Sequence, residues 1–133
     1  MIDPSGGAAA AGQTSPTTIY DGGPRTVISS VFFSPVLNNS GSTLVAAAAG
    51  LRTKVLALHI TCQIFTTAGL LVLKDGAATN IAAVGNPTAV GATYDCRVGG
   101  GIIFAQGPVN SNVDLYFLGN GAFLGQITYY QAP

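Results

Sequence analysis

The chain has 133 residues, a length typical of one domain, and 48% of them are hydrophobic while only 8% are charged. Five basic and five acidic residues give a net charge of zero, which excludes the basic footprint of a nucleic-acid-binding protein and the polybasic segment that favours a membrane surface. Because charged side chains usually keep the surface of a monomer soluble, their scarcity indicates that other protein covers much of the surface. The alternative is a neutral surface of polar Ser, Thr, Asn and Gly.

Residues 1–24 are predicted to form an extended arm that precedes a single domain at residues 25–133. Gly, Ala, Ser, Thr and Pro dominate the arm, and its few large apolar side chains include Ile2, Ile19 and Tyr20. Fixing each backbone residue costs about 1–2 kcal/mol, which this composition cannot offset alone. We therefore expect the arm to dock on another subunit or protein; an arm folded along its own domain is the alternative.

The sequence shows neither of two common localisation signals. The N-terminal MIDPSGGAAAAGQ lacks the basic region and the apolar region of a signal peptide. No apolar run approaches the roughly eighteen residues of a membrane span. Synthesis in a cytoplasm is therefore expected, and Cys62 and Cys96, which lie among apolar neighbours, are expected to be buried free thiols.

Alternation of apolar and polar residues predicts strands along the rest of the chain. The clearest strand is 52–66, RTKVLALHITCQIFT, whose β-branched residues would crowd a helix. Its core face is predicted to carry Lys54, Leu56, Leu58, Ile60, Cys62 and Ile64. The other candidate strands are 17–21, 25–34, 43–49, 70–74, 78–85, 92–98, 101–106, 112–119 and 122–130. For residues 43–49, a short helix is the alternative.

Turn residues separate these candidate strands. Pro35 is expected to stop or kink the strand before it, and the polar cluster at 38–42 predicts a turn. Asp75-Gly76 and Asn120-Gly121 each predict a tight hairpin, because glycine supplies the positive φ that such turns require. Eight or nine strands in residues 25–133, depending on residues 43–49, and the lack of βαβ alternation predict an all-β fold, an antiparallel β-sandwich or jelly roll with essentially no helix.

The sequence contains no readable catalytic or metal-binding constellation. The single histidine, His59, stands in the middle of a strand beside Thr61 and Gln63, whereas a zinc site needs three or four ligands. No G-x-S-x-G motif is present, and five scattered Asp without any Trp do not fit a glycosidase. We therefore expect no enzyme activity, no cofactor and no bound metal, with His59 at a surface or an interface.

Aromatic residues crowd the last two candidate strands. Tyr129 and Tyr130 are neighbours in a strand, and they should therefore point to opposite faces, one toward the core and one toward a partner. Ordinary core packing is the expectation for the aromatic residues of these strands, and an oligomer interface, where Tyr and Phe are enriched, is the alternative. The aromatic residues concerned are Tyr116, Phe117, Phe123, Tyr129 and Tyr130.

Residues 51–133 resemble small virion proteins of tailed bacteriophages. The resemblance lies in the strand LRTKVLALHITC, the hairpin GLLVLKDGAATNIA, the glycine-rich return GGGIIFAQGPVNSNVDLYFLG and a closing strand with aromatic residues. Proteins of this kind form sandwiches of the jelly-roll or tumour-necrosis-factor-like (TNF-like) type and are often trimeric. The resemblance is one of strand and turn patterns, and it carries over no functional residue.

The resemblance implies a structural role on a virus particle. The expected function is that of a capsid decoration, or cement, protein, which is made in the host cytoplasm and lies on the capsid surface. Its expected partners are the major capsid protein or neighbouring virion subunits. A homotrimer is expected, and Ile2, Ile19, Tyr20, Tyr129 and Tyr130 are the candidate partner-interface residues. The alternative function is a receptor- or glycan-binding module at the head of a fibre or spike.

Overall fold

A computed structural model of the chain describes residues 18–20, 25–76, 79–99 and 102–133. All regular secondary structure in these residues is β-strand, which confirms the predicted all-β class. Within the same residues, no helix is long and apolar enough to cross a membrane. Ile2 and the rest of residues 1–17 lie outside the described part of the chain.

The described residues form strands β1 to β10, each antiparallel to the strands it pairs with. Their bounds are β1 Thr18–Tyr20, β2 Arg25–Val27, β3 Ser29–Phe33, β4 Val36–Val45, β5 Arg52–Thr67, β6 Leu71–Asp75, β7 Thr79–Gly85, β8 Thr93–Arg97, β9 Ala105–Gln106 and β10 Val113–Ala132.

Two sheets share the long strand β10. Its second half pairs with β3 on one side and with β5 on the other, and β5 pairs in turn with β8 and β9; we call this the first sheet. Its first half lies between β4 and β6, and β6 pairs with β7; this is the second sheet. With the two halves of β10 counted separately, the orders β3-β10-β5-β8 and β4-β10-β6-β7 are those of an eight-stranded jelly roll, which confirms the predicted antiparallel sandwich.

Strands β1 and β2 form a separate two-stranded sheet. Ile19 pairs with Thr26, and Tyr20 pairs with Arg25. The predicted boundary between arm and domain, at residue 24, therefore falls in the connection between two paired strands. The pairing confirms the short strand predicted at 17–21.

The inner faces of the two sheets meet in one hydrophobic core. The Phe117 ring from the first half of β10 meets the Phe123 ring from the second half edge to face, with ring centroids 4.9 Å apart and planes at 84°, a geometry that the aromatic quadrupole favours. Both side chains are buried, so their predicted core role is confirmed. The core also contains Leu37, Val45, Val55, Leu58, Ile60, Cys62, Leu71, Leu73, Val113, Leu115 and Ile127.

The hairpin predicted at Asn120-Gly121 is wrong, because β10 continues through both residues. At this point the neighbour of β10 changes from β6 to β5, and its pairing is irregular between Phe117 and Gly121. Strands that pass from one sheet to another do so through bends and bulges. The Asn-Gly pair therefore marks a corner of the sandwich and not a reversal of the chain.

Close backbone approach explains the glycines at this corner. A Cβ atom on Gly119 would collide with the carbonyl oxygen of Thr67 and would lie 2.8 Å from the carbonyl carbon of Ala68. Likewise, a Cβ on Gly69 would lie 2.6 Å from the carbonyl carbon of Leu118. Glycine is required because two segments of backbone pass each other with no room for side chains.

The turn predicted at 38–42 is also wrong, because these residues lie within β4. Asn39 adopts a positive φ of 45° where the pairing of β4 with β10 is irregular. The phenolic hydroxyl of Tyr116 donates a hydrogen bond of 2.9 Å to the carbonyl oxygen of Asn39. The polar residues that resemble a turn here accommodate a bulge, since Asn tolerates the left-handed region better than most residues.

Two other strand predictions hold in part, and two turn predictions are confirmed. The strand predicted at 43–49 ends at Val45, and the one predicted at 101–106 is reduced to Ala105–Gln106. The hairpin predicted at Asp75-Gly76 is confirmed, because β6 and β7 pair directly on either side of it. Gly76 has the expected positive φ of 56°. Pro35 separates β3 from β4, as predicted.

Strand β5 keeps the predicted alternation only in its centre. Leu58, Ile60 and Cys62 are buried as predicted, whereas Ile64 is exposed. The pairing with β10 is irregular on both sides of this central stretch, where Leu56 and Gln63 are the extra residues. A single extra residue exchanges the two faces of a strand, which is why Val55 is buried, Ile64 is exposed and Leu56 is only half-buried.

Candidate functional surface

The outer face of the first sheet presents side chains in rows that run across the strands. Gln126 of β10 pairs with Phe32 of β3 and with His59 of β5, and His59 pairs with Asp95 of β8. Directly paired residues point to the same side of a sheet. Phe32, His59 and Asp95 are exposed, so this row faces outward and His59 is a surface residue, as predicted.

A second row lies two residues further along each strand. Thr128 pairs with Ser30 and with Ala57, and Ala57 pairs with Arg97. The hydroxyl oxygens of Ser30 and Thr128 are 2.9 Å apart and share a hydrogen bond. A polar group that is already hydrogen-bonded within the sheet loses less when water is removed from above it.

A third row, on the other side of the first, consists of Leu124, Thr61 and Thr93. Leu124 pairs with Thr61, and Thr61 pairs with Thr93. The hydroxyl oxygens of the two threonines are 3.1 Å apart and share a hydrogen bond. In this row too, the polar side chains of neighbouring strands satisfy one another.

Exposed apolar side chains lie at the end of this face that is nearer the corner. Val36 pairs with Ala122, and Ala122 pairs with Ile64. Phe32 and Val36 are each 76% exposed, Ile64 is 59% exposed and Leu124 is 43% exposed. We call these four exposed residues the apolar strip. Contiguous exposed apolar surface is uncommon on soluble monomers and marks interaction sites.

Two depressions open on the same face. One has a volume of about 160 Å³ and is lined by Phe32, His59, Thr61, Leu124, Gly125 and Gln126. The other has a volume of about 280 Å³ and is lined by Ile28, Leu56, Ala57, Arg97, Gly99, Ile102 and Thr128. Each depression exposes more apolar than polar surface, and such surfaces suit apolar side chains better than ions.

The formal charges of the three rows are limited to one ion pair on β8. The guanidinium of Arg97 donates hydrogen bonds of 3.0 and 2.9 Å from Nε and Nη2 to Oδ1 of Asp95. Both side chains are at least half exposed, so solvent screens the pair and it adds little to stability. It does leave this edge of the outer face with no net charge.

The predicted interface residues are not brought together at this face. Tyr130 is 3% exposed, and the ammonium nitrogen of Lys54 lies 5.9 Å from the centroid of its ring. Tyr129 is half-buried and packs against the hydrophobic core. Ile19 is half-buried in the separate β1–β2 sheet, where Tyr20 also lies. The fifth predicted residue, Ile2, lies outside the described residues.

Sequence reasoning missed the apolar strip, although part of its signal is visible. Phe32 and Phe33 are consecutive in a strand, so one of them must face outward. Ile64 looked like a core residue because the extra residue at Gln63 cannot be seen in the alternation. Leu124 faces outward on a strand whose pairing partners are distant in sequence.

Neither cysteine thiol is activated as a nucleophile. Cys62 and Cys96 are both free, as predicted, with Cys62 buried and Cys96 half-buried. Burial raises the pKa of each thiol, and the negative charge of Asp95 raises the pKa of Cys96 further. Because the thiolate is the reactive form, neither cysteine has the lowered pKa of a catalytic nucleophile.

Among the described residues, no group of three or more His, Cys, Asp or Glu side chains is arranged to hold a metal ion. Comparison with known proteins adds no identification. No protein-family model, curated protein or solved structure matches this chain.

Proposed function

We propose that this chain is a structural virion protein that binds and stabilises a phage capsid as a decoration, or cement, protein. It acts as a homotrimer on the capsid surface, where it contacts the major capsid protein or neighbouring virion subunits. The proposal involves no catalysis, cofactor, nucleic acid or membrane. Its starting point is the resemblance of residues 51–133 to small virion proteins of tailed bacteriophages.

The observation that best supports this proposal is an outer sheet face with exposed apolar residues and hydroxyls that pair with one another. Phe32, Val36 and Ile64 are more than half exposed, and the hydroxyl pairs of the neighbouring rows are internally satisfied. Enzymes and small-ligand binders instead bring a few polar groups together in a concave site. A structural protein needs surfaces that other protein can cover, and this face has that character.

One observation favours the alternative, a receptor- or glycan-binding head. Phe32 lies beside His59 and Gln126 around the 160 Å³ depression, which combines an aromatic ring with hydrogen-bonding groups. The two functions differ in the number of copies that a particle carries. A decoration protein covers the whole shell, whereas a fibre or spike head is present at a few positions.

The test is the copy number of this chain on purified particles. Quantitative mass spectrometry with isotope-labelled peptides, normalised to the major capsid protein, is expected to give a ratio of the order of one chain per capsid subunit. A matched fibre protein of the same particles provides the low-copy reference. A ratio equal to that of the fibre protein would contradict decoration and favour the head module, and complete absence from particles would contradict both.

A further inference from the structure

We propose that the open edge of β3 is a strand-binding site, and that residues 12–17 of the same chain occupy it as an added antiparallel strand. Among the described strands, β3 pairs only with β10, so its other edge presents backbone N–H and C=O groups that no described strand takes up. Such an edge is a template for extended peptide. The proposal is independent of capsid decoration.

The side chains of β3 show that this edge is neither charged nor covered. The segment Ser29–Phe33 contains no charged residue, whereas β8 of the same sheet carries the exposed pair Asp95 and Arg97. Charged side chains are a common means of keeping a sheet edge from pairing. Val31 is 40% exposed although its pairing partner Ile127 is completely buried. The described strands therefore leave this side of the sandwich uncovered, and one further strand would cover it.

The register of β3 shows which backbone groups point to the open edge. The N–H of Phe123 donates a hydrogen bond of 3.0 Å to the carbonyl oxygen of Pro35, and β3 pairs with β10 in the same register. Hydrogen-bonded and non-hydrogen-bonded pairs alternate along antiparallel strands. The odd-numbered residues of β3 therefore direct their backbone groups toward β10, while Ser30 and Phe32 direct theirs toward the open edge.

The pairing of β1 with β2 identifies the occupant. Strand β2 lies between β1 and β10 and leads through Ile28 into β3. Thr18 pairs antiparallel with Val27, so in the same register residues 17 to 12 stand opposite Ile28 to Phe33 in turn. Because this segment starts beside the edge, bringing it there costs less entropy than recruiting a separate chain.

The proline at position 16 fits this register. Pro16 stands opposite Ser29, whose backbone groups point toward β10, and the partner of such a residue points its own backbone groups away from the pair. Pro16 therefore removes no hydrogen bond from the new pairing, as expected for proline in an edge strand. A register shifted by one residue would place Pro16 opposite Ile28 or Ser30, where an N–H is required.

The side-chain pattern of the segment also fits. Paired residues share one side of a sheet, so the register places Gln13 and Ser15 on the solvent side and Thr14 beside Val31. A β-branched residue packs well at such a position. The added strand brings few large apolar groups, so it opens far more readily than the sandwich unfolds. Its presence is therefore expected to show in amide exchange and not in the thermal unfolding midpoint.

Amide hydrogen exchange measured by NMR tests the register with two proline variants. Ser15→Pro removes an N–H that faces β3, whereas Thr14→Pro, the matched control, removes one that points away. In wild type, the amides of Ser30 and Phe32 are expected to exchange at least about tenfold more slowly than unprotected amides. Ser15→Pro should abolish this protection and Thr14→Pro should retain it, while the Val31 amide, which faces β10, stays protected in both.

Two results of this experiment would overturn the proposal. Exchange of Ser30 and Phe32 at the unprotected rate in wild type would show that the edge is open. Equal loss of protection in Ser15→Pro and Thr14→Pro would show that the segment does not pair in this register.

A disulfide distinguishes the segment of the same chain from that of a second copy. In the proposed register Thr14 and Val31 form a non-hydrogen-bonded pair, with Cα atoms about 4.5 Å apart, which a disulfide can span. Thr14→Cys/Val31→Cys, combined with Cys96→Ala to remove the half-buried native thiol, is expected to cross-link within one chain under mild oxidation. Gln13→Cys/Val31→Cys in the same background is the control, because the side chain at position 13 lies on the other face.

Denaturing electrophoresis without reductant, with mass spectrometry of the linked peptides, measures the cross-link. A cross-linked dimer would assign the strand to a neighbouring copy and overturn the same-chain occupant. Absence of any cross-link, or equal cross-linking of the control, would overturn the strand itself, and none of these results bears on whether the protein binds capsids.

Discussion

Two consecutive phenylalanines in β3 show how neighbouring residues of one type take opposite roles. Phe33 packs against the hydrophobic core, while Phe32 is 76% exposed on the outer face. Alternation along a strand requires this division, because consecutive side chains point to opposite faces. Which of the two rings is exposed depends on the pairing of β3 with β10, and that pairing joins residues far apart in the sequence.

At the same scale, Cys62 links burial to stability against pH. Burial raises the pKa of this thiol above its ordinary value of 9.0, so the folded state holds the proton more tightly than the unfolded state. The stability that comes from burying the protonated Cys62 thiol is therefore complete below pH 9.0. It is lost as the pH rises through the folded-state pKa. We expect the free energy of unfolding to decrease between about pH 8 and about pH 10.5.

Urea unfolding of wild type and Cys62→Ala at both pH values measures how much of the pH-dependent loss of stability comes from the Cys62 thiol. The variant is expected to be less stable at pH 8, because it removes a buried sulfur, and to lose less stability on going to the higher pH. All other ionisable groups are common to the two proteins, so only the difference between the proteins reports on Cys62. An identical pH dependence in the two proteins would show that Cys62 does not ionise with unfolding in this range.

At the scale of elements, most strands could be predicted from the sequence, but two segments with strong turn signals were wrongly predicted to be turns. Asn120-Gly121 and the polar cluster at 38–42 have the composition of turns, and both lie inside strands where β4 and β10 pair irregularly. Local composition indicates a departure from regular strand geometry. Whether the chain then reverses or only bends depends on the strands beside it, and those come from other parts of the sequence.

The corner leads to a specific prediction for Gly119. A Cβ atom there would collide with the backbone of Thr67 and Ala68, and backbone atoms cannot move aside as a flexible side chain can. We expect Gly119→Ala to lower the free energy of unfolding by about 1–3 kcal/mol or more. Gly107→Ala is the control, because its Cβ would meet only a methyl carbon of Val113, at an ordinary 3.8 Å.

Urea denaturation of both glycine variants, with matched wild-type protein, measures the two effects. Gly107→Ala is expected to stay within about 1 kcal/mol of wild type, since no collision opposes the new methyl group. Equal stability of Gly119→Ala and Gly107→Ala would mean that the two segments do not approach each other at the corner. Insoluble Gly119→Ala beside soluble Gly107→Ala would agree with the predicted collision.

At the scale of the whole molecule, the sandwich was predictable because the alternation of apolar residues is a property of each strand. The outer face was not, because it is assembled from β3, β5, β8 and β10, whose order depends on the topology. The extra residues in β5 hide it further, since they move Ile64 from its predicted core position to the surface. The interface prediction at Tyr129 or Tyr130 came from strand alternation and from the enrichment of aromatic residues at interfaces, and of the two Tyr130 lies inside the domain.

The role of the N-terminal segment also belongs to this scale. If residues 1–24 dock on a neighbouring capsid or decoration subunit, ordering about twenty residues costs on the order of 20–40 kcal/mol, which contacts to the partner must offset. Deleting residues 2–16 leaves the described strands β1 to β10 complete. We therefore expect the shortened protein to remain folded, with the circular dichroism spectrum and the thermal unfolding midpoint of the full chain.

The most direct test of the central claim is the binding of purified protein to capsids that lack it. Co-sedimentation with undecorated shells, over a range of protein concentrations, measures affinity and the number of copies bound for the full chain and for the variant without residues 2–16. The account predicts saturable binding of the full chain at about one copy per capsid subunit, and loss of stable binding by the folded, shortened variant. Unchanged affinity of the shortened variant would show that the N-terminal segment is not the anchor, and failure of the full chain to bind shells would contradict capsid decoration itself.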